Sequence, residues 1–213
     1  MKVKICGITN KDDAIWAINY GADHIGLNFW KESKRHVSLA TASNWVPELP
    51  GFASLVGVFV NAAEADIIKT VTKLNLKGVQ LHGDETPAQI TALRISLEGA
   101  GKKVFIIKAF RVKDEETLRQ LDAFKDVVDY FLLDSYDPEQ VGGTGAVFNW
   151  DLAIKAKELG KPVFLAGGLV PDNVKQAVKK VQPYAVDVAS GVEKSPKKKD
   201  LEKMKDFITN AKV

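Results

Sequence analysis

A single thiol, a carboxylate closing an apolar run and two glycine-rich turns are the parts of this chain best suited to chemistry. The thiol is Cys6, the only cysteine, which ends Lys2-Val-Lys-Ile-Cys6 and is followed at once by Gly7. A free thiol titrates near ~8.5, so service as a base demands a neighbouring cation or helix N-terminus to favour the thiolate. Lone cysteines are also common small core residues, and the local pattern leaves both readings open. The carboxylate is Asp134, after Tyr130-Phe-Leu-Leu133. An ionised carboxylate on such a strand is costly without a role or a partner. Desolvation would raise its pKa and suit it to general-acid work, whereas a nearby Lys or Arg would make it half of an ion pair.

The two turns are Leu165-Ala-Gly-Gly-Leu169 and Asp187-Val-Ala-Ser-Gly191. Gly167, Gly168 and Gly191 let backbone N–H groups approach an anion closely, and a short helix beginning near Ser190 would aim its positive end at the same point. Tight turns would explain either pair alone; the coincidence of both points to phosphate. Arg35, in the cationic loop from Trp30 to Val37, offers a planar fork suited to a carboxylate, although solvation is the commoner fate of a loop arginine. His82, after Gly78-Val-Gln-Leu81, suits hydrogen bonding, proton shuttling or a purely structural bond. Lys108 is a conceivable Schiff-base amine for a lyase or aldolase but reads as structural or electrostatic. Strand alternation puts Lys4 on the same side as Cys6, and if that side is interior Lys4 needs a buried acid, for which Asp187 is the expected partner.

The elements that must position these groups follow a steady rhythm of short apolar runs and amphipathic segments of helical length. The runs begin with Val3–Cys6 and continue through His24–Phe29, Ser54–Val60, Gly78–Leu81, Lys103–Ala109, Asp129–Asp134, Pro162–Ala166 and Ala185–Ala189. Asn10 and Ser38 stand where helix N-caps belong, and Pro87 falls in a first helical turn. Near-continuous apolar strands of this kind are buried on both faces of a parallel sheet. A closed (β/α)₈ barrel spanning residues 1–213 as one domain is therefore expected, ahead of an open doubly wound sheet, which lacks its early glycine-rich fingerprint here. In a barrel the chemistry lies at the carboxyl ends of the strands, where the candidate residues fall.

The composition is that of an ordinary globular chain: 213 residues, 46% hydrophobic, 27% charged, with a formal charge of +3. One cysteine excludes a disulfide scaffold and any multi-cysteine metal site. Much of the basic surplus lies between Lys194 and Lys205, so no broad basic face for nucleic acid is expected. No apolar run is long enough for a membrane helix and no signal peptide opens the chain, which reads as a cytoplasmic protein.

Lys4-Ile-Cys-Gly-Ile-Thr9, Ser33-Lys-Arg35, Val56-Gly-Val-Phe-Val-Asn61, Val79-Gln-Leu-His-Gly83, Leu132-Leu-Asp134, Gly142-Gly-Thr-Gly145, Ala166-Gly-Gly-Leu169 and Asp187-Val-Ala-Ser-Gly-Val-Glu193 together resemble the phosphoribosylanthranilate isomerases of tryptophan biosynthesis. The resemblance implies a cofactor-free, metal-free isomerisation of a sugar phosphate by a monomer or homodimer. It implies Asp134 as general acid and Cys6 as general base. Arg35 would take the anthranilate carboxylate and the glycines after strands seven and eight, with Ser190, the phosphate. His82, Gly143 and Asp187 would complete the substrate contacts, and the glycine-rich loop from Val141 to Ala146 would close over them. The family commonly reads Pro-Gly-x-Lys-Asp before its last helix, whereas this chain has Pro196-Lys-Lys-Lys-Asp200. With Lys197 where glycine is usual, that turn is expected to differ.

Overall fold

A computed structural model describes residues 1–135 and 150–212. Strands β1 (Lys2–Ile5), β2 (His24–Asn28), β3 (Ser54–Phe59), β4 (Gly78–Leu81), β5 (Phe105–Val112), β6 (Tyr130–Ser135), β7 (Val163–Leu165) and β8 (Ala185–Val188) form a closed parallel barrel in sequence order. Pairing of β8 with β1, Asp187 opposite Lys4, completes the ring and rules out the open sheet. Helices α1 (Lys11–Asn19), α2 (Leu39–Ser43), α3 (Glu64–Leu74), α4 (Pro87–Gly99), α5 (Glu115–Asp122), α6 (Trp150–Lys157), α7 (Pro171–Val181) and α8 (Leu201–Ala211) alternate with the strands. Between β8 and α8 the chain makes a 3₁₀ turn at Ser190–Val192 and a small antiparallel hairpin, β9 (Glu193–Ser195) and β10 (Lys198–Lys199).

Local chemistry explains where the helices start. The side chains of Asn10, Ser38, Thr86, Asp114 and Asp200 each accept the backbone N–H three residues on, the bond that relieves an unpaired first-turn donor. The hairpin was not expected from the sequence, and the last helix begins only after it, at Leu201. Its tip carries Lys197 at φ +70, so the turn keeps the left-handed backbone that glycine favours and places a lysine in it.

Period-two alternation sorts the strand residues into two apolar layers. Val56, Ile107, Ala109, Leu132, Phe164, Ala166 and Ala185 fill the barrel interior. Their neighbours, such as Ile25, Val79, Phe131, Leu133 and Val186, join the layer packed against the helices. The phase decides which polar residues can reach the carboxyl-end cleft. Asp134 is in step with Leu132, and Asp187 with Ala185, so both belong to the interior set. Lys108 is out of step with Ile107 and Ala109, and β5 runs on to Val112, past the expected end at Ala109. Lys108 is buried against Glu85 at 2.8 Å and donates to the Gly83 carbonyl. That is a structural pairing, and Lys108 is not among the residues that line the cleft.

At the opposite end, Asp23 and Asp129 stand immediately before β2 and β6. Each accepts a backbone N–H from the preceding strand, Val3 to Asp23 at 2.9 Å and Ile106 to Asp129 at 2.7 Å. Lys2 and Lys212 pair with Asp23, and Arg94 with Asp129. Among the described residues no helix is long and apolar enough to cross a membrane.

Candidate active site

The carboxyl ends of the strands surround an inner cleft of about 140 Å³. Cys6, Arg35, His82, Asp134, Gly167, Gly168, Asp187, Ser190 and Gly191 all line it. It adjoins an outer mouth of about 600 Å³, whose wall shares Arg35, His82, Asp134 and Ser190 and adds Arg111 and Glu193. Gly143 and the whole loop from Val141 to Ala146 lie outside the described residues.

Cys6 continues the β1 ladder by donating its N–H to the Val188 carbonyl at 2.8 Å, which fixes the thiol at the strand end. Just below it, the Lys4 ammonium donates to Asp187 at 2.8 Å, with the lysine side chain wholly out of water. The expected pair is therefore present. A Cβ on Gly26 of β2 would lie 2.9 Å from the Cys6 sulfur and 3.2 Å from the Lys4 ammonium, so glycine alone leaves room for thiol and cation to meet. Burial pushes the Cys6 pKa up, and Asp187 adds to this; Lys4 and Lys199 pull against it. Burial also opposes the Lys4 charge, but Asp187 and the thiol outweigh it and hold its pKa above the ordinary value. The thiol thus rests protonated beside the cations that would receive its thiolate.

Asp134 lies on β6, three strands round the barrel from β1 by way of β8 and β7, so acid and base candidates occupy separated parts of the cleft. Its register partner on β5 is Arg111. His82 has its pKa pushed down to about 3, by burial first and then by Arg111, Lys108 and Lys4. With its pKa that low, the imidazole is neutral at physiological pH. Its Nδ1 lies 3.4 Å from the Gln80 amide nitrogen, and its buried Nε2 has no partner among the described residues. Such a nitrogen on a cleft wall is suited to a hydrogen bond with a bound molecule.

Gly167 and Gly168 both adopt positive φ, +81 and +65. Asn173, in the first turn of α7, clamps this loop by accepting from Val170 N–H and donating to the Gly168 carbonyl. A Cβ on Gly191 would stand 2.0 Å from the Leu169 carbonyl oxygen, so the two glycine loops touch and only glycine permits it. The short helical turn expected near Ser190 is present as a single 3₁₀ turn.

Arg35 meets the cleft and is mostly buried rather than solvated. Its Nε and Nη2 both donate to Glu193 at 2.7 Å, and this pairing raises its pKa further. Two of its N–H groups are thus committed, and about three remain from the guanidinium's usual five. Sequence reasoning missed Glu193, Lys199, Arg111, Gln80 and Gly26. A glycine inside an apolar strand was the available signal for Gly26, and extending β5 past Ala109 would have brought in Arg111.

The description "N-(5'phosphoribosyl)anthranilate (PRA) isomerase" belongs to the protein family whose sequence profile matches residues 3–210. The N-(5'-phosphoribosyl)anthranilate isomerase of Geobacter metallireducens is 45% identical over 213 residues, covering 100% of both chains. The crystal structure of the phosphoribosyl anthranilate isomerase from Thermotoga maritima superposes with a TM-score of 0.89 at 39% identity, over 100% of this chain and 98% of that one. A further phosphoribosyl anthranilate isomerase structure, in complex with reduced 1-(o-carboxyphenylamino)-1-deoxyribulose 5-phosphate, matches with a TM-score of 0.85 at 36% identity over 100% and 98% of the two chains. The chain belongs to the N-(5'-phosphoribosyl)anthranilate isomerase family.

Proposed function

We propose that the chain isomerises N-(5'-phosphoribosyl)anthranilate to 1-(2-carboxyphenylamino)-1-deoxyribulose 5-phosphate, an Amadori rearrangement in tryptophan biosynthesis, with Asp134 as general acid and Cys6 as general base. The observation that supports this reading is a cleft lined on one side by a thiol under the charges of Lys4 and Lys199 and, three strands away, by a carboxyl group.

The sequence of proton movements follows from these positions. Asp134 protonates the furanose ring oxygen as the C1′–O bond breaks, and the anthranilate nitrogen lone pair forms the C1′=N bond of a protonated Schiff base. The Cys6 thiol first gives up its proton to water, with Lys4 and Lys199 favouring the resulting charge; the thiolate then removes the C2′ proton, and the C–H electron pair becomes the C1′=C2′ bond while the nitrogen is neutralised. Loss of the C2′ hydroxyl proton and protonation at C1′ give the ketone. C1′ is reduced and C2′ oxidised within one molecule, so the chemistry needs no external oxidant or reductant.

The remaining contacts hold the two ends of the substrate. The uncommitted N–H groups of Arg35 suit the anthranilate carboxylate, and the touching loops at Gly167, Gly168, Ser190 and Gly191 suit the phosphate. His82 Nε2 offers a neutral hydrogen bond, and Asp187 is within reach of the substrate while it holds Lys4. Anchoring both ends turns the proton transfers into intramolecular steps.

A fluorescence assay with freshly generated phosphoribosylanthranilate tests the reading. Wild type should consume the fluorophore, whereas Cys6→Ser and Asp134→Asn should each lose about 10²–10⁴-fold in kcat, the usual worth of a positioned acid or base. Full turnover by either variant would remove that residue from its role.

A further inference from the structure

The eight strands account for the thiol, the acid and the phosphate loops, but the barrel alone does not account for the hairpin that follows β8. Its buried feature is Lys199 on β10, whose side chain has no exposure to water. An ammonium has three N–H donors, and each is spent on a different part of the cleft. One goes to the Cys6 carbonyl oxygen at 2.7 Å, one to the Ala189 carbonyl oxygen at 2.9 Å in the loop beside Ser190, and one to Glu193 at 3.1 Å.

Glu193 passes the connection on. Its carboxylate, 5% exposed, takes Lys199 and the Arg35 Nε on one oxygen and the Arg35 Nη2 on the other. The hairpin is itself fixed to the barrel, since Lys199 N–H donates to Asp13 of α1 and Thr9 donates to the Lys197 carbonyl. A buried ion pair of this kind is weak evidence for stability, because desolvation cancels much of the attraction. Residues retained at that cost call for another reason, and the three acceptors supply one.

We infer that Lys199 and Glu193 are positioning residues for this reaction: one buried ammonium–carboxylate unit sets the Cys6 backbone, the loop that would take the phosphate and the arginine that would take the carboxylate in a common register. The inference rests on the activity proposed above. Lys199 acts through Cys6 and Ala189, and Glu193 through Arg35. Lys199 also adds to the positive potential at the sulfur. The charged groups facing that sulfur are Lys4 from β1, Asp187 from β8, Arg35 from the loop after β2 and Lys199 from β10. Replacing the ammonium removes one of the cations that favour thiolate.

Because Cys6 is the only cysteine, its alkylation by iodoacetamide as a function of pH reads the thiol directly and independently of turnover. Lys199→Met should shift that profile to higher pH and lower kcat by about 10²-fold, the scale expected when a reacting group is displaced by about an ångström. Glu193→Gln keeps a side chain of the same shape and leaves Lys199 in place. It should raise KM by about tenfold, the worth of one charge-assisted contact to the substrate carboxylate, with kcat little changed. A folded Lys199→Met with wild-type alkylation and wild-type kcat overturns the role of Lys199, and wild-type KM in Glu193→Gln overturns that of Glu193. If Lys199→Met does not fold, Glu193→Gln decides the matter, with unchanged KM counting against the whole unit. A wild-type protein without isomerase activity would refute the proposed function, yet the alkylation profiles would still show whether Lys199 sets the thiol.

Discussion

At the amino ends of the strands Asp23 and Asp129 pair with Lys2, Lys212 and Arg94 in partial contact with water, whereas at the carboxyl ends Asp187 and Glu193 hold Lys4, Lys199 and Arg35 largely out of it. The ingredients are alike and the environments are opposite. Lys2 is 52% exposed beside Asp23, while Lys4 is 0% exposed beside Asp187. An exposed pair is screened and can be lost cheaply; a buried pair interacts strongly but carries a desolvation cost that packing with apolar residues would avoid. The barrel therefore closes one end with charges that tie strands together and concentrates at the other the charges that bear on a thiol. Partially buried charge near reacting groups is where function competes with stability.

Lys4 gives the largest test of that contrast. Lys4→Met leaves Asp187 buried without its cation and should cost about 3–5 kcal/mol in urea unfolding. The double variant Lys4→Met/Asp187→Leu removes both charges and should recover most of that loss, since a packed apolar pair is often as stable as the ion pair it replaces. Isomerase activity should stay lost in both. Activity returning together with stability in the double variant would mean that the carboxyl-end pair, like those at the amino end, is only a strut.

How much of this was legible in the sequence follows the same division. The barrel was readable because parallel strands buried on both faces give apolar runs that stand out from amphipathic helices. Asn10 and Ser38 announced their helices by local hydrogen-bond chemistry that needs no tertiary context. Most cleft residues were readable because each sits at or just past the end of an apolar run, and alternation from Lys4 even indicated its partner. Lys199 and Glu193 were not readable in the same way. They lie in a lysine-rich stretch that looks solvated, and their meaning arises from contacts with Cys6 and Arg35, 193 and 158 positions away in the chain. Arg111 was hidden by a strand boundary, since nothing local says that β5 continues past Ala109. His82 was legible as a cleft residue, but its lowered pKa was not, because that depends on burial and on Arg111 and Lys108 brought up from β5.

The hairpin tip offers an intermediate effect. Lys197 holds φ +70, a conformation that costs a non-glycine residue roughly 1–2 kcal/mol. Lys197→Gly should relieve that strain, offset in part by the greater freedom of glycine in the unfolded chain, for a net gain of about 0.5–1 kcal/mol. Thermal unfolding at neutral pH would show it. Because the tip lies two residues from Lys199, kcat should be unaffected if the anchoring by Asp13 and Thr9 governs the hairpin's position. A stabilised but slower variant would show instead that strain at the tip helps to set Lys199.

Asp23 should give the smallest effect and the one confined most clearly to the amino end. Burial opposes its ionisation, but hydrogen bonds from Lys2, Lys212 and the Val3 N–H outweigh this and hold its carboxyl below the ordinary 3.8. A carboxyl whose folded pKa is depressed contributes stability that is complete above its unfolded titration, near ~3.9, and is lost as pH falls through the lower folded value. With Lys2 half exposed, that contribution is about 0.2–1 kcal/mol at neutral pH. Asp23→Asn keeps an oxygen for the Val3 N–H and removes the charge, while the oxygen that accepts from Lys2 becomes an amide donor. Urea unfolding should therefore show a deficit of under about 1 kcal/mol at pH 7 that shrinks to nothing in acid, with kcat/KM unchanged. A deficit that persists in acid would assign the loss to geometry rather than charge, and a fall in turnover would mean that the two ends of the barrel are coupled.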